Sequence, residues 1–438
     1  MPYDIIIGRT KSDIDKYGMR GTILLARQYV TMGRTTSLSN NIFMDVAKAH
    51  IVFVCGKRGS GKSYTMGAIA EGAAQIDPDI SKNLAFILLD TMGIYWTMRY
   101  PNLKDKDLLE MWKIPSKGLD VRIFTPAGYF KEYKEKGIPT DYAFSLKPDE
   151  LQSQDWFLTF GLDQNDPVAV FIERIIHEMK TTGDPYGIPE IIEEIKKDTA
   201  EDRSIHNAAL NRFLNADSWG VFDKEGTQLD ELAKGGRITI LDVSCYATAP
   251  NGWAIKSLVV GLVAQKLFNE RMVSRKNEEF AMIKQMTTFG EVNSLKDDRK
   301  PLVWLVIDEA HEFLPRTGKT AASDALITIL REGRQPGISM ILATQQPGKI
   351  HTDVMTQSDT ILAHRLTSRI DMDALKMLSS SFMNKGIDQH LHMLPHVPGA
   401  SLVIDDQNER IFSTRMRPRS TWHGGEAPIA IEKKRKLF

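Results

Sequence analysis

The segment IVFVCGKRGSGKSYTMG, residues 51–67, restricts the fold of this chain more than any other. An apolar run suited to a buried strand passes straight into Gly56, Gly59 and Gly61, interleaved with Lys57, Arg58 and Lys62. A helix-forming run, MGAIAEGAAQ, comes next. Such a junction is built to hold an anion: glycines let the backbone close around it, successive N–H groups point inward, and the helix start adds its positive end. Gly56, Gly61, Lys62 and Ser63 fit G-x-x-x-x-G-K-[ST] without a gap. In that spacing the lysine reaches the β- and γ-phosphates of a nucleotide and the serine hydroxyl ligates Mg²⁺. The expected contact set is Gly56, Arg58, Gly59, Ser60, Gly61, Lys62, Ser63 and Tyr64.

A nucleotide loop of this kind needs a parallel sheet around it, and the remaining apolar runs supply one. LAFILLD, DVRIFTP, RITILDV, LVWLVID, SMILATQ and TILAHR read as short buried strands with helical stretches between most of them. That alternation implies an α/β fold, a parallel sheet covered on both faces. Residues 1–47 read instead as a small β unit, with MGRTTSLSNN as turn punctuation. Residues 150–232 are charged and helically spaced, an expected insertion between core segments 48–149 and 233–414. Residues 415–438 are basic and carry Pro, Gly-Gly and Trp422 without helical periodicity. They read as an extended tail, either an arm that latches a neighbouring subunit or a disordered end. The stretch from Met286 to Lys300 reads as a mobile polar loop.

Further carboxylates and amides end these strands. LVWLVIDEAHEF places Asp308 and Glu309 where one carboxylate can hold a Mg²⁺ shell and the other can deprotonate an attacking water; the same pair could equally start a helix. SMILATQQP places Gln345 where it can sense a γ-phosphate, although a turn before Pro347 accounts for it as well. Asp90 ends the strand of LLDTMG, as a carboxylate behind the site or as a turn residue. ILREGRQPG offers Arg334, then Arg331, as the cation that reaches a neighbour's γ-phosphate, with Arg365 as a third candidate; basic residues at a helix end also suit the helix dipole. His390, His392 and His396 have no cysteine or carboxylate close by in sequence and read as loop or packing residues rather than a zinc site.

Bulk properties narrow the setting. The 438 residues include 42% hydrophobic and 26% charged ones, the balance of a globular chain. No apolar run approaches about 18 residues, so no membrane span is expected, and the opening MPYDIIIGRTKSD lacks a secretory pattern. Cys55 and Cys245 read as small buried hydrophobes in a reducing cytoplasm. Lys plus Arg equals Asp plus Glu at 56 each, so DNA binding would need a local basic channel. Lys296, Arg299 and Lys300, or Lys131 to Lys136, are candidates for one, each also readable as a solvated charged patch.

Taken in order, GKRGSGKS, LLDTMG, LVIDEAH, REGRQPGISMILATQQP and TILAHRL resemble the HerA branch of the HerA/FtsK superfamily. The early GTILLARQYVTMG and SLSN look like a shortened form of that family's N-terminal β-barrel, and RPRSTWHGG looks like its C-terminal segment. The resemblance implies a RecA-like core, a homo-hexameric ring and ATP-driven translocation of double-stranded DNA, with a NurA-type nuclease or another effector as partner. By that analogy Lys62 and Ser63 bind ATP and Mg²⁺, Asp308 and Glu309 drive hydrolysis, Gln345 senses, and Arg334 acts on the neighbour's nucleotide. Two departures stand out. The N-terminal unit is short, and the basic residue ahead of the loop strand is Lys48 or His50 rather than arginine. A ring scaffold that regulates a bound effector without moving DNA, or a motor acting on protein, are the rival readings.

Overall fold

The computed structural model describes residues 3–32, 35–287, 299–376 and 384–425. Its frame is a sheet of thirteen strands: β1 (Ile5–Ile7), β2 (Thr22–Met32), β3 (Thr35–Asp45), β4 (Ile51–Cys55), β5 (Leu84–Asp90), β6 (Val121–Pro126), β7 (Tyr142–Phe144), β8 (Arg237–Asp242), β9 (Leu302–Ile307), β10 (Ile338–Thr344), β11 (Thr360–His364), β12 (Ala400–Asp405) and β13 (Arg410–Met416). The spatial order is β1-β3-β2-β13-β12-β11-β4-β10-β9-β5-β8-β6-β7. From β11 to β7 all neighbours run parallel. From β11 back to β3 they run antiparallel. The α/β architecture expected from the apolar runs is therefore present.

The central strands are apolar over most of their length because both of their faces are covered. In β4, Ile51, Phe53 and Cys55 join one core cluster, while Val52 and Val54 join the other. The second cluster takes Met66, Ile69 and Ala70 from the helix Lys62–Ala74. The first takes Trp156, Phe171, Ile191 and Phe213 from four helices, Ser153–Phe160, Pro167–Thr182, Ile188–Lys197 and Arg203–Asp217, which lie in sequence between β7 and β8. Successive side chains on a strand point to opposite faces, so one pentapeptide anchors both layers.

Three expectations are corrected. The N-terminal β unit is no barrel: β1, β3 and β2 extend the main sheet, joined to it by β13. The punctuation in MGRTTSLSNN is largely strand, because its polar side chains find partners within the unit. Asn40 Nδ2 donates to Gln28 Oε1 at 2.9 Å and Asn41 Nδ2 to Asp4 Oδ1 at 3.0 Å. The basic tail begins inside the fold. Arg415 and Met416 are in β13, and Arg417, Arg419, Ser420 and Thr421 are buried in their own chain. The buried carboxylate of Glu71 holds them: it accepts from Arg417 Nη2 at 2.8 Å, from the Ser420 and Thr421 N–H groups and from the Thr421 hydroxyl. A latch reaching a neighbour could then involve only residues beyond Thr421, and 426–438 lie outside the described residues.

The two basic candidates for a DNA channel fare differently. Lys296 lies outside the described residues; Met286 and Thr287 belong to a 36-residue helix, Gly252–Thr287, and Lys300 is paired with Glu270 at 2.5 Å and Asp230 at 2.9 Å. Lys131 and Lys136 lie at the helix Ala127–Glu135, paired with Glu135 and Glu132. His390 Nδ1 bonds Ser413 Oγ at 3.0 Å, and His396 is exposed. Among the described residues no helix is long and apolar enough to cross a membrane.

Candidate nucleotide site

The C-terminal ends of β4, β9 and β10 lie side by side, because β10 pairs with both of the others in parallel register. The segments leaving those three strands therefore meet in one place. The loop after β4 runs from Gly56 to Gly61 and opens the helix at Lys62. Gly61, the helix cap, has φ +106°, a conformation that L side chains rarely adopt. A Cβ at Gly56 would stand 2.6 Å from both His364 Cβ and Ser60 Oγ. Lys57 N donates to the Arg365 carbonyl at 3.0 Å, which ties the loop to the end of β11.

Lys62 is 6% exposed, and among the described residues its ammonium has a single long bond, 3.4 Å to the Lys57 carbonyl. Burial pulls its pKa down, against the opposite pull of Asp308 and Glu309. Ser63 Oγ donates to Asp308 Oδ2 at 2.5 Å, and the Glu309 N–H caps Asp308 Oδ1 at 2.9 Å. Burial raises the Asp308 pKa, and neighbouring Glu309 adds to the rise. A hydroxyl and a buried carboxylate converging in this way make a donor set of hard oxygens, which fits Mg²⁺.

Glu309 takes φ +51°, a left-handed conformation that is uncommon for a side chain of this size and turns it off the strand. Gln345 Nε2 donates to Glu309 Oε1. Oε2 is buried without a hydrogen bond, with His311 Nδ1 at 3.6 Å. His311 is itself bonded to Thr344 Oγ1 at 3.0 Å. The alternative reading of Asp308-Glu309 as a helix start has a trace of truth, since a short 3₁₀ turn, Ala310–Glu312, comes directly after. Neither carboxylate is spent on capping it.

The arginines are dispersed. The helix Ser323–Glu332 stops before Arg334, so Arg331 and Arg334 do not share a helix face. Arg331 Nε is bonded to Asp353 Oδ2 at 2.6 Å. Arg334 is exposed and precedes β10, at the opposite end of the strands from this chain's own Lys62, a strand length of about 20 Å away. Arg365 is exposed beside the loop of its own chain. Arg58 is exposed on that loop.

Tyr64 faces the C-terminal segment rather than open space. Its hydroxyl accepts from Arg419 N at 2.7 Å, and His423 meets its ring edge-on. Asp90 organises the loop behind the site: it accepts from the N–H groups of Met92, Gly93 and Tyr95, and the Tyr95 hydroxyl reaches the Ser63 carbonyl at 3.4 Å. Burial raises the Asp90 pKa, and Asp242, its register partner on β8, adds to it.

Sequence reasoning missed His364. It is fully buried, its Nε2 is 3.0 Å from Thr65 Oγ1, its Cβ occupies the space beside Gly56, and its ring lies against Gly61. Burial and the nearby Lys62 hold its pKa down at about 4, so it is neutral. The signal was there: after the apolar Ile361, Leu362 and Ala363 the strand ends in a histidine, beside the arginine that drew attention instead.

Known proteins with similar sequences bear on this geometry. A family model described as the central domain of helicase HerA matches residues 32–266. A probable DNA double-strand break repair helicase HerA of Methanocaldococcus jannaschii is 29% identical over 154 residues, 33% of this chain and 29% of the relative. The DNA double-strand break repair helicase HerA of Pyrococcus furiosus is 24% identical over 163 residues, 34% of this chain and 29% of the relative. The matched part is thus less than a third of either relative's length. Among solved structures, VirB4 of Thermoanaerobacter pseudethanolicus superposes with a TM-score of 0.54 at 13% identity, covering 91% of this chain and 96% of that one, a likeness of fold alone. With the matched model spanning more than half of its residues, this chain belongs to the family defined by the central domain of helicase HerA.

Proposed function

We propose that the chain is an ATPase that drives double-stranded DNA through a ring of identical subunits. The observation that carries the ATPase reading is the pairing of Ser63 with Asp308 beside a Glu309 whose one oxygen is held by Gln345 and whose other has no hydrogen bond. The repair helicases among its relatives and the family membership support the DNA part of the reading.

In this mechanism the glycine loop and the first turn of its helix bind the phosphates through backbone N–H groups. Lys62, poorly paired in its own chain, finds its counter-charge in the β- and γ-phosphates. Ser63 and Asp308 hold Mg²⁺, which when bound neutralises charge on the phosphates. Glu309 Oε2 takes a proton from the attacking water, while Gln345 fixes the other oxygen and transmits loss of the γ-phosphate to the end of β10. Arg334, remote from its own site, serves the neighbour's in a homo-hexamer. Contact with DNA runs through phosphates, so it is salt-sensitive and independent of sequence. A nuclease of the NurA type or another effector is the expected partner.

Steady-state ATP hydrolysis with and without double-stranded DNA tests this reading. Stimulation by DNA, lost in Lys62→Ala and Glu309→Gln, supports it. Hydrolysis indifferent to DNA turns the case toward a regulatory ring scaffold. Mixing Arg334→Ala with Lys62→Ala subunits tests the trans arginine: mixed rings recover activity that neither variant has alone.

A further inference from the structure

The helix Gly252–Thr287 is two different objects along its length. Up to Leu267 it is core, with Ile255, Val259, Val263 and Leu267 buried against the sheet and Gly261 pressed against the Ala321 carbonyl. Arg271 is the firmest anchor of this half: it is buried, bonded to the carbonyls of Pro336 and Lys300, and joined by Ser274 and Glu278. Beyond it the helix continues for four more turns while its large apolar side chains face solvent. Val273 is 60% exposed, Phe280 68% and Ile283 60%.

Those three stand at i, i+7 and i+10, so they form one stripe along the helix. Its unpaired charge is one-sided. Lys276 lies within the stripe, three residues after Val273 and four before Phe280, and Lys284 lies on its rim, four after Phe280. Both lysines are exposed, and among the described residues neither has an ion-pair partner. The acidic residues of this segment, Glu278 and Glu279, are already held by Arg275 at 3.4 and 3.0 Å.

We propose that this stripe docks an amphipathic helix of a partner protein that carries acidic side chains beside its apolar face. Helix pairs of this kind take their stability from the apolar seam and their choice of partner from the charges in and around it. A second copy of the chain is a poor occupant, because pairing like stripes brings Lys276 and Lys284 against lysines. Residues 426–438 are equally poor, since they end in EKKRKLF. Nucleic acid is disfavoured by a seam whose large side chains are apolar.

The test uses the full chain and two labelled helical peptides of about six turns, both with leucine along the seam and differing only in flanking glutamate or lysine. Fluorescence anisotropy should show the glutamate peptide binding at least about tenfold more tightly. Lys276→Glu with Lys284→Glu should reverse that preference, a gain of binding that misfolding cannot mimic. Phe280→Ser should weaken both peptides and leave ATP hydrolysis unchanged. Equal binding of the two peptides, or binding of neither, overturns the proposal. So does self-association of the wild-type chain that Phe280→Ser abolishes, or capture of double-stranded DNA that is lost in the lysine exchange.

Discussion

The two ends of β4 carry buried charge of opposite temper. At its N-terminal end Asp45 is paired with Arg9 at 2.9 Å and with His50 at 3.4 Å, and His50 also bonds Asp359 at 2.8 Å. Burial alone would push the His50 pKa down, but hydrogen bonds to Asp359 and Asp45 outweigh it and raise it to about 9. At the C-terminal end Lys62 is buried too, yet burial wins over Asp308 and Glu309 and its pKa falls. A charge matched at close range keeps its charge; a charge left under-matched is strained until a ligand of the other sign arrives. One cluster therefore ties β4 and β11 to the strand before them, and the other is held ready for phosphate.

Substitutions should separate the two ends. The largest effect is expected from Lys62→Ala, which should lower ATP hydrolysis by about 10³-fold while the melting temperature holds or rises, because an under-matched buried cation has gone. Asp308→Asn should likewise abolish Mg²⁺-dependent hydrolysis without loss of melting temperature in the absence of ligand. If calorimetry shows either variant grossly unfolded, the contrast between the ends is wrong. His50→Ala should do the reverse. Stripping a buried pair of its cation costs about 3–5 kcal/mol, read by denaturant unfolding, while turnover per folded molecule stays near wild type.

The pH dependence sharpens the same contrast by a smaller amount. His50 has a folded pKa above its unfolded value, so its contribution to stability is complete below about pH 6.5 and drains away as pH rises through about 9. Melting temperature should fall across that window, and the fall should flatten in the His50→Ala chain. The smallest effect belongs to Arg331→Ala. Its pair with Asp353 is 59% exposed on the arginine side, and surface pairs contribute about 0–1 kcal/mol. A larger loss of stability would show that the pair is part of the packing near β10.

Legibility in the sequence followed the same division. IVFVC and GKRGSGKS announced strand, loop and helix because spacing and composition carry that information locally. Asp308, Glu309 and Gln345 were visible as strand-end polar residues, and parallel register brought them to the loop. What escaped depends on contacts distant in sequence. Glu71 looks like any helix glutamate until residues 417–421 wrap it, 346 to 350 positions away. SLSNN looks like a turn until Gln28 and Asp4 meet its asparagines. His364 reads as an ornament on a strand until its Cβ is found beside Gly56 and its Nε2 at the Thr65 hydroxyl.

The place of β13 in the sheet has a consequence for how the molecule is made. β2 can pair with β3 as soon as both are synthesised, but its other edge meets only β13. That strand emerges roughly 365 residues after Asp45, about 20–70 s later at ordinary rates of translation. For that interval the nascent chain carries a finished hairpin with one bare edge, the kind of surface that recruits foreign strands. The hairpin can settle only once the strands from β4 to β13 have been built, so strands made before them wait longest for their last partner.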